Sequence, residues 1–219
     1  MKTVRKICFI LLCSVLGLAA AAESAQDLSE LNRSALAAAR SGNVKNFKAF
    51  IEQGAVPDTR NRSGDSLLMT TIKTGQIDIM KLLLERGADI NLANTSQVTP
   101  LMSAAYYGRT EMARILIDKN ANINAIDQLN KTAMVYAAGT GQTEIVKLLL
   151  DKGILPNARY KNDLTALMWA GAFGNLATAQ LLVERGADAS LVDNRGKTVQ
   201  QMADENDHLH VVKYLQSLK

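Results

Sequence analysis

His208 and His210 are the only imidazoles in this 219-residue chain. Two positions apart on a helix, they would point about 200° from each other and could not share a metal ion. They read as solvated residues near the end of the fold. A serine nucleophile would need one of them as its base, and the chain has no Gly-x-Ser-x-Gly elbow. Gly196-Lys197-Thr198 has the end of a phosphate-binding loop, but Leu191 stands where the loop's first glycine belongs. A turn followed by a helix N-cap explains the triplet better. The carboxylates Asp78, Glu111 and Glu144 recur at one interval. They fall near predicted helix starts, where they complement the helix dipole rather than perform acid–base work. Asn32, Asn61, Asn94 and Asn130 each open an Asn-x-Ser/Thr triplet, the acceptor of N-glycosylation in a eukaryotic secretory pathway. Such triplets are also ordinary turn sequence, and that is the reading preferred. No catalytic residue, metal site or cofactor is expected.

The elements that would carry such chemistry begin after a leader. Lys2, Arg5 and Lys6 precede an apolar run from Ile7 to Ala19, and Ala20-Ala21-Ala22 offers small residues at a cleavage position before Glu23. This is the pattern of a secretory signal. The run is shorter than the roughly 20 residues that span a bilayer, and Leu12 before Cys13 argues against a lipoprotein. Residues 1–22 are therefore expected to be removed, with no membrane insertion afterwards. The periplasm is the expected compartment, with secretion as the alternative. Cleavage leaves 219 less 22, or 197 residues, and lowers the formal charge from +4 to +1 by removing three basic residues. No basic run remains to favour nucleic acid. Cys8 and Cys13, the only cysteines, leave with the leader, so the exported domain must hold together by packing alone.

The rest of the chain is periodic. Gly42, Gly75, Gly108, Gly141 and Gly174 are spaced by 33 residues. So are Ser66, Thr99, Thr132, Thr165 and Thr198, and likewise Gly54, Gly87, Asn120, Gly153 and Gly186. Three series in phase mean one supersecondary unit copied along the chain, hence a solenoid. Within a unit, Thr99 is a good N-cap, Pro100 suits the first helical position, and Leu101, Ala104 and Ala105 form one apolar face. Gly108 ends this helix in a left-handed conformation. Met112, Ile115, Leu116 and Ile117 give the second helix its stripe, as do Ile79, Leu82, Leu83 and Leu84 one unit earlier and Ile145, Leu148, Leu149 and Leu150 one unit later. Asn120 stands where other units have glycine, and asparagine is the next residue to accept left-handed backbone.

Thr99-Pro100-Leu101-Met102-Ser103-Ala104-Ala105 with Gly108, Leu82-Leu83-Leu84-Glu85-Arg86-Gly87-Ala88-Asp89-Ile90-Asn91 and Leu181-Leu182-Val183-Glu184-Arg185-Gly186-Ala187-Asp188 resemble the ankyrin repeat family. The resemblance implies an all-α repeat solenoid of about six helix-pair units with β-turn fingers. Residues 23–60 would be an N-terminal capping repeat, 61–93, 94–126, 127–159 and 160–192 full repeats, and 193–219 a C-terminal cap whose Gln200, Gln201, Asp204, Glu205 and Asn206 face water. One departure is the position after Thr-Pro-Leu, where the family has a histidine that ties backbone groups together. Met69, Met102, Val135, Met168 and Gln201 stand there instead, so that hydrogen bond is expected to be lost.

The resemblance further implies a non-enzymatic protein-binding module that works through its concave face and finger tips. The tips fall near Arg62, Ser63 and Asp65, and at the equivalent positions of the later units. Projected onto this chain, the candidate partner-binding residues are Lys73, Val98, Tyr106, Tyr107, Leu129, Lys131, Leu164 and Phe173. Tyr106, Tyr107 and Phe173 are expected to be exposed, where aromatic side chains make interface anchors. Trp169 and Tyr136 fit equally well as anchors or as filling between units. The expected partner is a protein of unstated identity and the expected state a monomer. An immunity or inhibitor protein acting on a toxin or lytic enzyme, an envelope stress-protection factor and a secreted effector all share this pattern.

Overall fold

The computed structural model describes residues 24–218, so the expected leader lies outside the described residues. A first helix, α1, covers 24–41. Then follow α2 (Val44–Glu52), α3 (Leu67–Thr74), α4 (Ile77–Glu85), α5 (Pro100–Tyr106), α6 (Thr110–Asp118), α7 (Ala133–Gly139), α8 (Thr143–Asp151), α9 (Ala166–Ala172), α10 (Leu176–Glu184), α11 (Val199–Glu205) and α12 (Leu209–Gln216). The helices pack in two layers. Odd-numbered helices from α3 to α11 touch the next odd-numbered one, and α6, α8, α10 and α12 do the same in the second layer. Among the described residues the chain is an all-α repeat solenoid with almost no strand, as the spacing and the resemblance together imply.

The two layers bury different amounts because their sequences differ. The first helices are about two turns long and apolar nearly all round. In α5 every residue from Pro100 to Ala105 is buried, and in α3 every residue from Leu67 to Ile72. Such a helix is stable only with neighbours on several sides. The second helices bury one stripe, such as Ile145, Val146 and Leu149 in α8. Of the expected triplet Leu82-Leu83-Leu84, only Leu83 is fully buried, with Met80 beside it. Neighbouring residues on a helix are about 100° apart, so three in a row cannot share one face. Leu82 and Leu84 instead pack at the core's margin.

Helix starts follow the sequence signals. Ser66, Thr99, Thr132, Thr165 and Thr198 each accept from the amide three residues on, at 3.2–3.4 Å. The expected loss of the family's histidine bond is corrected in three units. Met102 and Met168 sulfurs accept from the Thr99 and Thr165 amides at 3.4 Å, and Gln201 Oε1 accepts from Thr198 at 2.9 Å. A thioether is a weak acceptor, but it reaches the same amide.

The units are joined by hairpin-like fingers, and in four of the five the turn is pinned by one Asn or Asp side chain. Asn61 Oδ1 accepts from the amides of Ser63 and Asp65, Asn94 from Ser96 and Val98, Asp127 from Leu129 and Lys131, and Asp193 from Arg195 and Lys197. These Asx turns account for Asn61 and Asn94 within their Asn-x-Ser triplets. In the fourth finger Tyr160 replaces the Asx residue. There Asn162 and Asp163 both take left-handed φ, 63° and 60°, in a short 3-10 turn from Lys161 to Asp163.

Candidate partner-binding surface

The last residue of each finger lies eight positions before a residue near the end of the first helix, and in the first full unit and the last unit the two meet. In the outer units they are opposite charges. Lys73 Nζ lies 2.6 Å from Asp65 Oδ2, and Lys197 Nζ 2.6 Å from Glu205 Oε1. The equivalent pairs in the middle units are Val98 with Tyr106, Lys131 with Gly139, and Leu164 with Ala172. The two outer pairs are thus neutralised internally, and the three middle pairs are apolar or aromatic apart from Lys131.

Lys73 was projected as a partner-binding cation, but its ammonium is committed to Asp65. Asp65, projected near a finger tip, is buried at 4 % exposure and also accepts from Asn94 Nδ2 at 2.9 Å. Burial pushes its carboxyl up. The hydrogen bonds from Lys73 and Asn94, the Lys73 charge and Asn61 outweigh this and hold it below the ordinary carboxylate value.

Tyr106 (51 % exposed), Tyr107 (44 %), Phe173 (57 %) and Leu129 (60 %) stand out from the surface. Val98, Lys131 and Leu164 are half-buried. The aromatic rings are organised rather than scattered. Tyr106 meets Tyr107 edge-on at 5.1 Å and Tyr136 edge-on at 5.8 Å, and Trp169 stacks on Phe173 at 5.8 Å with planes 7° apart. Such pairs fix ring positions beyond what area burial does. Trp169 and Tyr136 each pack against the core, as expected of filling between units, and each remains half-exposed.

Lys131 joins the two aromatic groups. Its Nζ lies 5.6 Å from the Tyr136 ring centre and 5.2 Å from that of Trp169. Tyr136 is held by a 2.6 Å hydrogen bond from its hydroxyl to Asp127 Oδ2. Burial first, then that bond and the Asp127 charge, push its phenol well above the ordinary tyrosine value, so it remains a donor. A Cβ at Gly139 would sit 3.6 Å from Trp169 and 3.9 Å from Phe173, ordinary contact distances, so a side chain at this position is compatible with the stack. A cavity of about 260 Å³ opens between the third and fourth fingers, walled by Leu129, Lys131, Val135, Tyr160, Leu164 and Trp169. Leu164 and Trp169 also wall a smaller hollow of about 190 Å³ that continues towards Phe173 and Met202. Among the described residues no three metal-ligating side chains come together.

The histidines differ from expectation. His208 is the N-cap of α12, with φ −86° and ψ 61°, so the helical projection does not apply to it. The two rings lie 6.2 Å apart, and His208 and His210 Nε2 sit 3.1 and 2.9 Å from the carbonyls of Ala172 and Gly174. His208 belongs to a further series missed in the sequence: Gln76, Arg109, Gln142, Asn175 and His208, again 33 apart. Arg109 donates to the Ile72 and Lys73 carbonyls at 3.2 and 3.1 Å, and Asn175 to those of Ala138 and Gly139 at 2.9 and 3.0 Å. Arg109, Asn175 and His208 thereby satisfy open carbonyls at the end of the preceding unit's first helix, whereas Gln142 donates to Thr140 of its own unit. The interval alone could have found them; their residue types do not repeat, so no motif marks them.

The family model for ankyrin repeats (three copies) matches residues 7–94, 34–127, 89–160 and 126–193, well over half of the chain. The first match opens inside the segment expected to be a leader. A search of curated proteins finds no match. Together with the paired helices and pinned fingers, the family match defines the class: a helical repeat scaffold. The chain belongs to the ankyrin repeat family, whose members are typically non-enzymatic and generally serve as protein–protein interaction modules. No helix among the described residues is long and apolar enough to cross a membrane.

Proposed function

We propose that this protein is an exported, non-enzymatic adaptor that holds one partner protein against its concave face and finger tips. The observation that carries the reading is the cluster of exposed Tyr106, Tyr107, Leu129 and Phe173 at the centre of a face whose outer charges are already paired. Rings held by stacking and by Asp127 need little ordering on binding, which favours affinity for a given contact area. Export rests on the leader pattern in residues 1–22, and the periplasm is the compartment proposed. An immunity or inhibitor role, a stress-protection role and a secreted-effector role are versions of the same adaptor, separated by the partner's identity.

The test is capture of partners from a native cell-envelope extract by immobilised protein, followed by affinity measurement with the recovered partner. Tyr107→Ala and Phe173→Ala should each weaken binding by about 2 kcal/mol, the loss of one aromatic anchor. Retention of the same partner at unchanged affinity by both variants would remove this surface from the function. N-terminal sequencing of the protein from the envelope fraction checks the leader, and a chain starting at Met1 would refute its cleavage.

A further inference from the structure

The ammonium of Lys131 differs from its two counterparts. At the equivalent place in the first full unit the charge of Asp65 is met by Lys73, and in the last unit that of Lys197 is met by Glu205. Eight residues after Lys131 stands Gly139, which has no side chain to offer. Among the described residues no carboxylate forms an ion pair with Lys131, and its Nζ rests against two aromatic rings. The cavity beside it has Lys161 on its wall as a second cation and no carboxylate. The other walls are mainly apolar, from Leu129, Val135, Leu164 and Trp169. Its volume, about 260 Å³, falls below the roughly 300–1,000 Å³ of sites that enclose whole small-molecule ligands. It suits a single large side chain. The indole Nε1 of Trp169 is covered and has no hydrogen-bond partner, so this corner also holds an unused donor.

We infer that the cleft between the third and fourth fingers receives a segment of the partner protein in which an apolar side chain adjoins an Asp or Glu. The apolar side chain fills the cavity against Leu164 and Trp169, and the carboxylate supplies the counter-charge that Gly139 withholds from Lys131. The missing internal ion pair is then a docking feature: the unit leaves its cation for the partner to neutralise. This inference rests on the adaptor reading and specifies what that adaptor selects.

The chain has one tryptophan, so the Trp169 indole N–H gives a single unambiguous NMR resonance beside the cleft. The probes are two terminally blocked dipeptides, leucyl-glutamate and leucyl-glutamine, titrated into the purified protein to millimolar concentration. Leucyl-glutamate should shift the Trp169 resonance saturably and bind about tenfold more tightly than leucyl-glutamine, as expected for one charge-assisted contact. Lys131→Gln should erase that preference. Gly139→Glu, which recreates the pair seen between Lys197 and Glu205, should erase it too, while the isosteric Gly139→Gln should keep it. Equal binding of the two probes, no shift with either, or a preference that survives both Lys131→Gln and Gly139→Glu overturns the inference. A recovered partner that binds through Tyr107 and Phe173 but ignores Lys131→Gln sinks this inference alone. A dipeptide preference without any protein partner leaves the cleft standing and sinks the adaptor reading.

Discussion

Individual side chains in this protein act mainly on backbone. Asp127 closes its own finger through two amides at 2.8 Å and then orients Tyr136, so one carboxylate sets both a turn and a ring of the candidate surface. Asp65 does comparable work through Lys73 and Asn94. Its carboxyl lies below the ordinary 3.8 in the folded state. A lowered folded value means that the stabilisation is complete above the unfolded value and is lost as pH falls through the folded one. The stability gap between the protein and Asp65→Asn should therefore be widest at neutral pH and close on acidification below about pH 4. Urea denaturation across that range checks this, and a gap that does not change with pH would show that the Asp65 charge contributes nothing. None of this was legible at residue 65 itself, where an aspartate before an N-cap reads as an exposed turn residue. One of its oxygens is held by Asn94, 29 positions away.

At the scale of the element, the repeat glycines carry two demands, and only one can be read from the sequence. Gly87 and Gly108 both have left-handed backbone, with φ of 79° and 64°. Around Gly87 nothing lies within 4 Å of a built Cβ, whereas at Gly108 the Cβ would fall 2.4 Å from Gln142 Oε1 of the next unit. Gly87→Ala should cost about 1 kcal/mol, the penalty of left-handed backbone for an L-residue. Gly108→Ala should cost about 1 kcal/mol more, because Gln142 must leave its hydrogen bond to the Thr140 carbonyl at 3.1 Å. Denaturation midpoints of the two variants make the comparison, and equal losses would mean that Gln142 yields freely. Helix starts and stops were legible because caps and left-handed residues act within four positions of chain. The interlock formed by Arg109, Asn175 and His208 was not, since each donor is 36 or 37 residues from its acceptor.

For the whole molecule, stability is distributed along the stack. Each first helix makes its main contacts with its neighbours in line and its own partner helix, so coupling passes chiefly from unit to unit. Leu149 is completely buried near the middle. Leu149→Ala should cost about 2–5 kcal/mol, as expected for a leucine truncated in a packed core. It should also uncouple the two ends, lowering the apparent denaturant slope or splitting the transition in two. A single transition of unchanged slope would show that the array unfolds as one unit despite its linear contacts.

The sequence alone determined the period, the helix pairs, the fingers and the family, because these follow from local rules repeated every 33 residues. It also placed Tyr106, Tyr107 and Phe173 at the surface, since their register in the repeat decides which way they face. Only the tertiary structure decided which charges remain available. Lys73 and Lys131 look alike as sequence, yet one is spent on Asp65 and the other rests between two rings. The physical reason is that periodicity fixes where a side chain sits, whereas its freedom to bind depends on what neighbouring units bring within a few ångströms of its end.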